Sequence, residues 1–293
     1  MEKITKAVIA VAGYGTRFLP ATKNQPKEML PIIDKPIVHY LVEEAVNSGI
    51  RDIILVTRSG QTPLEDYFDS HRELENELEK NGKKKKLEKI KSIPKMANFI
   101  YVRQKSDLPY GNATPLFSVL PIIDPKESFV YMFGDDLTLS EKPVTKQLID
   151  VYQKEKPSAI FSVQEVPESE VHKYGTVRYK KNSNYKYDIE NFAEKETAEK
   201  APSKMALFGR FVFSHKVLEE IQVTKPGKDN ELGVADIFNS LTKKGERVVA
   251  QPVEGEWHTT GDPLNYLKTS FRFAQKREDI GQELEDYLKK NIC

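Results

Sequence analysis

A short apolar run that empties directly into a glycine-bearing loop constrains this chain more than any other feature. Residues 6–11 read Lys-Ala-Val-Ile-Ala-Val, and the chain then passes through Gly13, Gly15, Thr16 and Arg17. Glycine has no Cβ, so such a loop lets backbone N–H groups approach an anionic ligand closely. Arg17 and Lys27 add side-chain charge of the sign that phosphates need. The spacing fits neither the P-loop pattern Gly-x-x-x-x-Gly-Lys-Ser/Thr nor the dinucleotide pattern Gly-x-Gly-x-x-Gly. The first expectation is therefore a buried strand that ends in a phosphate loop of another kind.

Strand and helix patterns alternate after that loop. Val38, Leu41, Val42, Ala45 and Val46 fall at helical spacing, and Ser48-Gly49 ends the pattern. Residues 52–57 form a continuous β-branched run suited to a strand buried on both faces. Residues 64–91 are charged and helix-prone, 98–103 strand, 114–123 helix, 129–133 strand, 143–156 helix and 158–164 strand. Such alternation predicts βαβ units and a Rossmann-like, mostly parallel mixed sheet flanked by helices, an α/β fold. Beyond Glu165 the pattern changes: 176–180, 185–192 and 207–214 read as strands, with Asn182-Ser-Asn184 as a turn, before helix returns at 229–244 and 264–290. No repeat or low-complexity linker separates a second domain. One domain over residues 1–293 is expected, in two halves that divide at about residue 165.

Composition narrows the function classes. Of 293 residues, 39% are hydrophobic and 30% charged, which allows a sizeable core in an ordinary soluble chain. The net charge of +1 gives no global field favouring nucleic acid or an anionic membrane. The basic run Lys83 to Lys86 reads as a solvated helix face. The single cysteine, Cys293, excludes an intramolecular disulfide and fits a reducing cytoplasm. No apolar stretch approaches the ~18–20 residues that span a bilayer, and residues 6–11 read as a strand rather than a leader's apolar core. The five histidines lack metal-ligand spacing.

Nucleotides in open α/β sheets bind beyond the carboxyl ends of the strands. Four segments are expected at such ends: the loop after Val11, the loop after Thr57, Arg103-Gln104, and Gly134-Asp135-Asp136. An apolar strand ending in carboxylates beside a phosphate loop suits Mg²⁺, which prefers carboxylate and phosphate oxygens. Asp135 is the expected ligand, with Asp136 in a structural role.

The string from Ala10 to Pro31, with Gly-Tyr-Gly-Thr-Arg17, Pro20-Ala-Thr-Lys23 and Pro26-Lys27-Glu28-Met-Leu-Pro31, resembles the signature of the bacterial-type UTP–glucose-1-phosphate uridylyltransferases, within the wider nucleoside-diphosphate-sugar pyrophosphorylase family. The resemblance runs from Lys6 to about Phe273. It implies that UTP and glucose 1-phosphate react to give UDP-glucose and pyrophosphate, with Mg²⁺ as cofactor. It further implies nucleotide binding by Ala12, Gly13, Gly15, Thr16, Glu28, Gln104 and Gly111, and sugar binding by Gly175, Glu194 and Lys195. Arg17, Lys27 and Lys195 take the catalytic roles, and Asp135 holds the metal. A homo-oligomer, dimer or tetramer, is implied too. Thr259 stands where the family has a second aspartate, so either water or Asp262 completes the metal shell or metal binding is weakened. Pro109 and Asn112 also depart, standing where the family has a glycine and a histidine. The competing readings are a pyrophosphorylase for another sugar 1-phosphate or for dTTP, and a catalytically silent regulatory paralogue.

Overall fold

The computed structural model describes residues 3–227 and 230–291; Cys293 and Asp229, both named above, lie outside them. Lys6–Ala10 form β1, and the glycine loop follows it directly. A two-residue hairpin of β2 (Pro31–Ile32) and β3 (Lys35–Pro36) leads into α1 (Ile37–Asn47) and β4 (Asp52–Thr57). The charged stretch expected as helix over 64–91 is three helices: α2 (Thr62–Phe68), α3 (Arg72–Lys80) and α4 (Lys84–Ser92). Asp69 takes an extended conformation after α2, and Gly82 turns at φ 65° between α3 and α4, so helical continuity is lost at both points.

Next come β5 (Asn98–Arg103), α5 (Pro115–Val119), β6 (Phe129–Phe133) and β7 (Asp136–Leu139). The helix expected over 114–123 keeps only its first turns. After α6 (Val144–Glu155) and β8 (Ala159–Glu165), the second half supplies β9 (Gly175–Tyr179), β10 (Ile189–Glu194) and β11 (Met205–Phe213). Tyr185 and Tyr187 precede β10 instead of belonging to it, and their rings pack on each other. Then follow α7 (His215–Ile221), α8 (Val234–Lys243), β12 (Val248–Pro252), β13 (Glu256–Thr259), α9 (Pro263–Gln275) and α10 (Gly281–Asn291). The single helix expected over 264–290 breaks after Gln275. There Arg277 turns out to pair with Asp34 at 2.7 Å and with Asp279 at 2.5 Å.

Among the described residues a nine-stranded sheet runs β10-β9-β11-β6-β1-β4-β5, with β8 pairing both β11 and β12. The β6-β1-β4-β5 section is parallel, and β11 joins it antiparallel to β6. Parallel strands covered on both faces need apolar residues at every position. β4 meets this: Ile53, Ile54, Leu55 and Val56 are all fully buried. Ile54 and Val56 join Val8, Phe161, Phe211 and Phe238 in the core on one face, whereas Ile53 and Leu55 join Ile9, Leu41 and Leu148 on the other. Parallel register places the ends of β1, β4, β5 and β6 along one edge of the sheet. No helix of the described residues is long and apolar enough to cross a membrane.

Candidate active site

At that edge the chain encloses a cavity of about 490 Å³. Ala12, Gly13, Gly15, Thr16 and Arg17 line it from the loop after β1, and Lys27 and Glu28 from the turn that follows. Gln104 and Gly111 line it from the loop after β5, Asp135 from the end of β6, and Lys195 from the residue after β10. Gly15 sits at φ 62°, and its carbonyl accepts from Thr22 Oγ1 at 2.8 Å. Arg17 Nη1 donates to the Gly261 carbonyl at 3.2 Å, which ties the phosphate loop to the start of α9.

Gly175 and Glu194 stand off this wall. They are cross-strand partners in β9 and β10. A Cβ on Gly175 would lie 2.2 Å from the Phe192 ring and 2.8 Å from Glu194 Oε2, so the chain itself fills the space beside this glycine. Glu194 reaches the cavity only through its neighbour, with Oε1 3.8 Å from Lys195 Nζ. Arg103 also turns away: it pairs with Glu65 at 2.5 Å and donates to Thr57 Oγ1, while Gln104 alone lines the cavity. The loop after Thr57 reaches the site indirectly, with the Arg58 guanidinium 4.4 Å from the centre of the Tyr14 ring.

Charge is concentrated at three residues. Lys27 Nζ lies 2.6 Å from Asp135 Oδ2 and 4.0 Å from Glu28 Oε1. Burial alone would discharge Lys27, but Asp135 and Glu28 outweigh it and hold its pKa above the usual lysine value. Burial likewise opposes ionisation of Asp135, yet Lys27 prevails and keeps its pKa below the ordinary carboxylate value. Glu28 goes the other way: burial pushes it up to about 7 despite the nearby ammonium. Its Oε2 is buried with no hydrogen-bond partner, so the wall carries an orphaned acceptor beside an ionised carboxylate. Hard oxygen donors of this kind, next to a phosphate loop, fit a divalent cation that completes its shell with phosphate and water.

Asp136 belongs to the scaffold, as expected. Its Oδ1 accepts from Trp257 Nε1 at 2.7 Å and its Oδ2 from the Gly209 N–H at 2.8 Å. Burial, followed by the charge of Asp135, raises its pKa. Asp262 is engaged within its own helix. It caps α9, with Oδ1 accepting from the Asn265 N–H at 3.0 Å and Oδ2 from Asn265 Nδ2 at 2.6 Å. The hydroxyl of Thr259 faces the same space beside Gly261 as Asp135. Thr259 Oγ1 and Asp135 Oδ2 both lie 3.4 Å from the point where a Cβ on Gly261 would stand.

The loop after β5 is shaped by contacts that sequence alone conceals. Gly111 has φ 147°, and a Cβ there would fall 2.1 Å from the Leu232 carbonyl oxygen, so only glycine fits. Asn112 accepts the Val234 N–H at 2.9 Å through Oδ1 and thereby serves the first turn of α8. That explains why α8 begins at Val234 and not at the expected 229. Tyr14, Tyr110 and Glu231 also line the cavity without having been singled out; two tyrosines flanking the glycine and Gln104 segments were the available signal. Arg210 of β11 is wholly buried away from the cavity against Glu44.

Residues 6–276 match the nucleotidyl transferase family. The chain is 40% identical over 290 residues to a UTP–glucose-1-phosphate uridylyltransferase of Staphylococcus epidermidis, covering 99% of both. It is 39% identical over 289 residues to that of Bacillus subtilis, covering 99% of this chain and 97% of the relative. Among solved structures it resembles a UTP-bound UGPase from Acinetobacter baumannii at 30% identity, with TM-score 0.86 and coverage of 99% and 100%. A UDP-glucose pyrophosphorylase complexed with UDP-glucose matches at 36% identity, with TM-score 0.82 and coverage of 94% and 100%.

Proposed function

The chain belongs to the nucleotidyl transferase family, and from that premise we propose that it transfers the uridylyl group of UTP to glucose 1-phosphate. The observation that carries this reading is the single cavity in which a glycine loop, Gln104 and Gly111, the Lys27–Asp135 pair and Lys195 converge. Relatives matched over 99% and 97% of their own length, 40% and 39% identical and named for this activity, support it.

In this reading a phosphate oxygen of glucose 1-phosphate attacks the α-phosphorus of UTP in line. The new O–Pα bond forms as the bond from Pα to the bridging oxygen of the β-phosphate breaks, and that electron pair leaves with pyrophosphate. Such a transfer needs positioning and charge neutralisation more than a covalent nucleophile. Arg17, together with the N–H groups of Ala12, Gly13, Gly15 and Thr16, holds the departing phosphates. Lys27 leaves Asp135 to neutralise the phosphate chain, and Glu28 lies behind it. Gln104 and the backbone at Gly111 read the pyrimidine, an edge that both donates and accepts. Lys195 aligns the attacking phosphate on the sugar side, with Glu194 and its cross-strand partner Gly175 behind it. Asp135 would hold Mg²⁺, which supplies charge neutralisation to the phosphates as the leaving group forms.

The assembly proposed is one domain over residues 1–293, nucleotide half first, acting in the cytoplasm as a homo-oligomer. Leu264, Leu267 and Phe271 of α9 are exposed along one helical face suited to a second copy. The test is pyrophosphate release with Mg²⁺, crossing UTP, dTTP and the other common nucleotides with glucose, galactose and N-acetylglucosamine 1-phosphates. Turnover greatest with UTP and glucose 1-phosphate is the expected result. Another preferred pair makes the chain a different pyrophosphorylase, and binding of UTP without turnover makes it a silent paralogue.

A further inference from the structure

Tyr110 is an anomaly at the cavity wall. Tyr110 is 67% exposed, although its carbonyl and the backbone around it are hydrogen-bonded to the rest of the chain. The Tyr110 carbonyl accepts the Leu232 N–H at 2.7 Å, and the Leu232 carbonyl accepts the Ala113 N–H at 3.1 Å. Asn112 accepts from Tyr131 through its carbonyl at 2.6 Å, and Thr114 Oγ1 donates to the Pro109 carbonyl at 2.5 Å. An aromatic ring on a clamped loop loses little conformational freedom on binding a flat partner, and it has apolar area to bury there. The other exposed tyrosine of the wall, Tyr14, already carries the Arg58 guanidinium on its ring. Tyr110 has no such neighbour among the described residues.

We propose that Tyr110 is the stacking platform for the nucleobase, lying against the face of the ring whose edge Gln104 and Gly111 read. The inference rests on the function proposed above, because it takes the base to lie at Gln104. Position supports it: Tyr110 is adjacent to Gly111 and lines the same cavity as Gln104. Stacking is tolerant of base identity, since every base has a π-face. Tyr110 therefore supplies affinity, and selection among pyrimidines stays with the amide of Gln104.

The test measures affinities for UTP, CTP, UDP-glucose and inorganic pyrophosphate in the parent enzyme and in Tyr110→Leu and Tyr110→Phe. Loss of the ring weakens UTP, CTP and UDP-glucose binding by about tenfold, the scale of one base–aromatic stack. The UTP-to-CTP ratio and the affinity for pyrophosphate, which has no base, remain those of the parent. Phenylalanine restores the loss. Unchanged UTP affinity in Tyr110→Leu overturns the proposal. So does a Tyr110→Phe variant as weak as Tyr110→Leu, or a pyrophosphate affinity that falls alongside that for UTP. A parent enzyme that binds none of the nucleotides removes the proposed function itself, an outcome separate from all of these.

Discussion

Lys27 extends from the turn after the glycine loop and sets its ammonium 2.6 Å from the carboxylate of Asp135 at the end of β6. The pair joins the two segments on which phosphate and metal chemistry would depend, and each residue stabilises the charge of the other. The lysine thus occupies the carboxylate that the proposed reading gives to the metal.

Lys27→Met should cost about 10²–10³ in turnover, the usual loss for one preorganised charge. Lys27→Arg should recover little, because a planar fork cannot replace a compact ammonium in a space closed by Glu28 and Asp135. Initial rates of pyrophosphate release measure both. Near-parent turnover in Lys27→Met contradicts its role.

Asp262 and Thr259 make opposite predictions about metal. Asp262→Ala removes the cap of α9 and should cost about 1 kcal/mol of stability, with the divalent-metal requirement unchanged. Thr259→Asp places a second carboxylate beside Asp135 and should tighten Mn²⁺ binding by about an order of magnitude, read by electron paramagnetic resonance. If Asp262→Ala loses its metal response while Thr259→Asp keeps the parent's, the assignment is reversed.

The pair Arg210–Glu44 holds the scaffold under the site. Arg210 is fully buried, with Nη2 2.7 Å from Glu44 Oε2 and also donating to the Asp136 carbonyl at 2.7 Å. Arg210→Met leaves a buried carboxylate unpaired and should destabilise the fold by about 3–5 kcal/mol. The double variant Arg210→Met/Glu44→Met should lose less than the sum of the two single losses. Urea unfolding of the four proteins decides it, and strict additivity is the contrary result.

Glu28 makes stability depend on pH. Its carboxyl titrates near 4.5 when unfolded and at about 7 in the fold, raised by burial. Between those values the folded chain keeps a proton that the unfolded chain has released. Stability is therefore lost as pH rises through this window, by on the order of 3 kcal/mol. Glu28→Gln removes the group, so its melting temperature should fall less than the parent's between pH 5 and pH 8. Parallel melting curves across that range contradict the shift.

Sequence made the parallel core legible. β4, β5 and β6 occupy the expected residues 52–57, 98–103 and 129–133, because short continuous apolar runs have few other uses in an α/β chain. The glycine loop, Gln104 and Asp135 were legible for a related reason, since strand ends locate them, whereas Gly111 followed from the resemblance alone. What escaped depends on partners far along the chain. β7 is four residues long and exists by pairing with β13, more than a hundred residues later, which local pattern cannot announce. The same holds for Asn112 serving α8, for Asp262 serving its own helix, and for Arg210, whose burial is set by Glu44. For Tyr110 the sequence offered only its place beside Gly111, because the Leu232 contact that pins its backbone lies more than a hundred residues away.

The central claim is the transfer itself, and phosphorus NMR of the enzyme with UTP, glucose 1-phosphate and Mg²⁺ tests it most directly. The account predicts that the resonances of UTP and glucose 1-phosphate decline together while UDP-glucose and free pyrophosphate grow in equal amounts. Spectra that stay unchanged, or pyrophosphate that appears without UDP-glucose, contradict it.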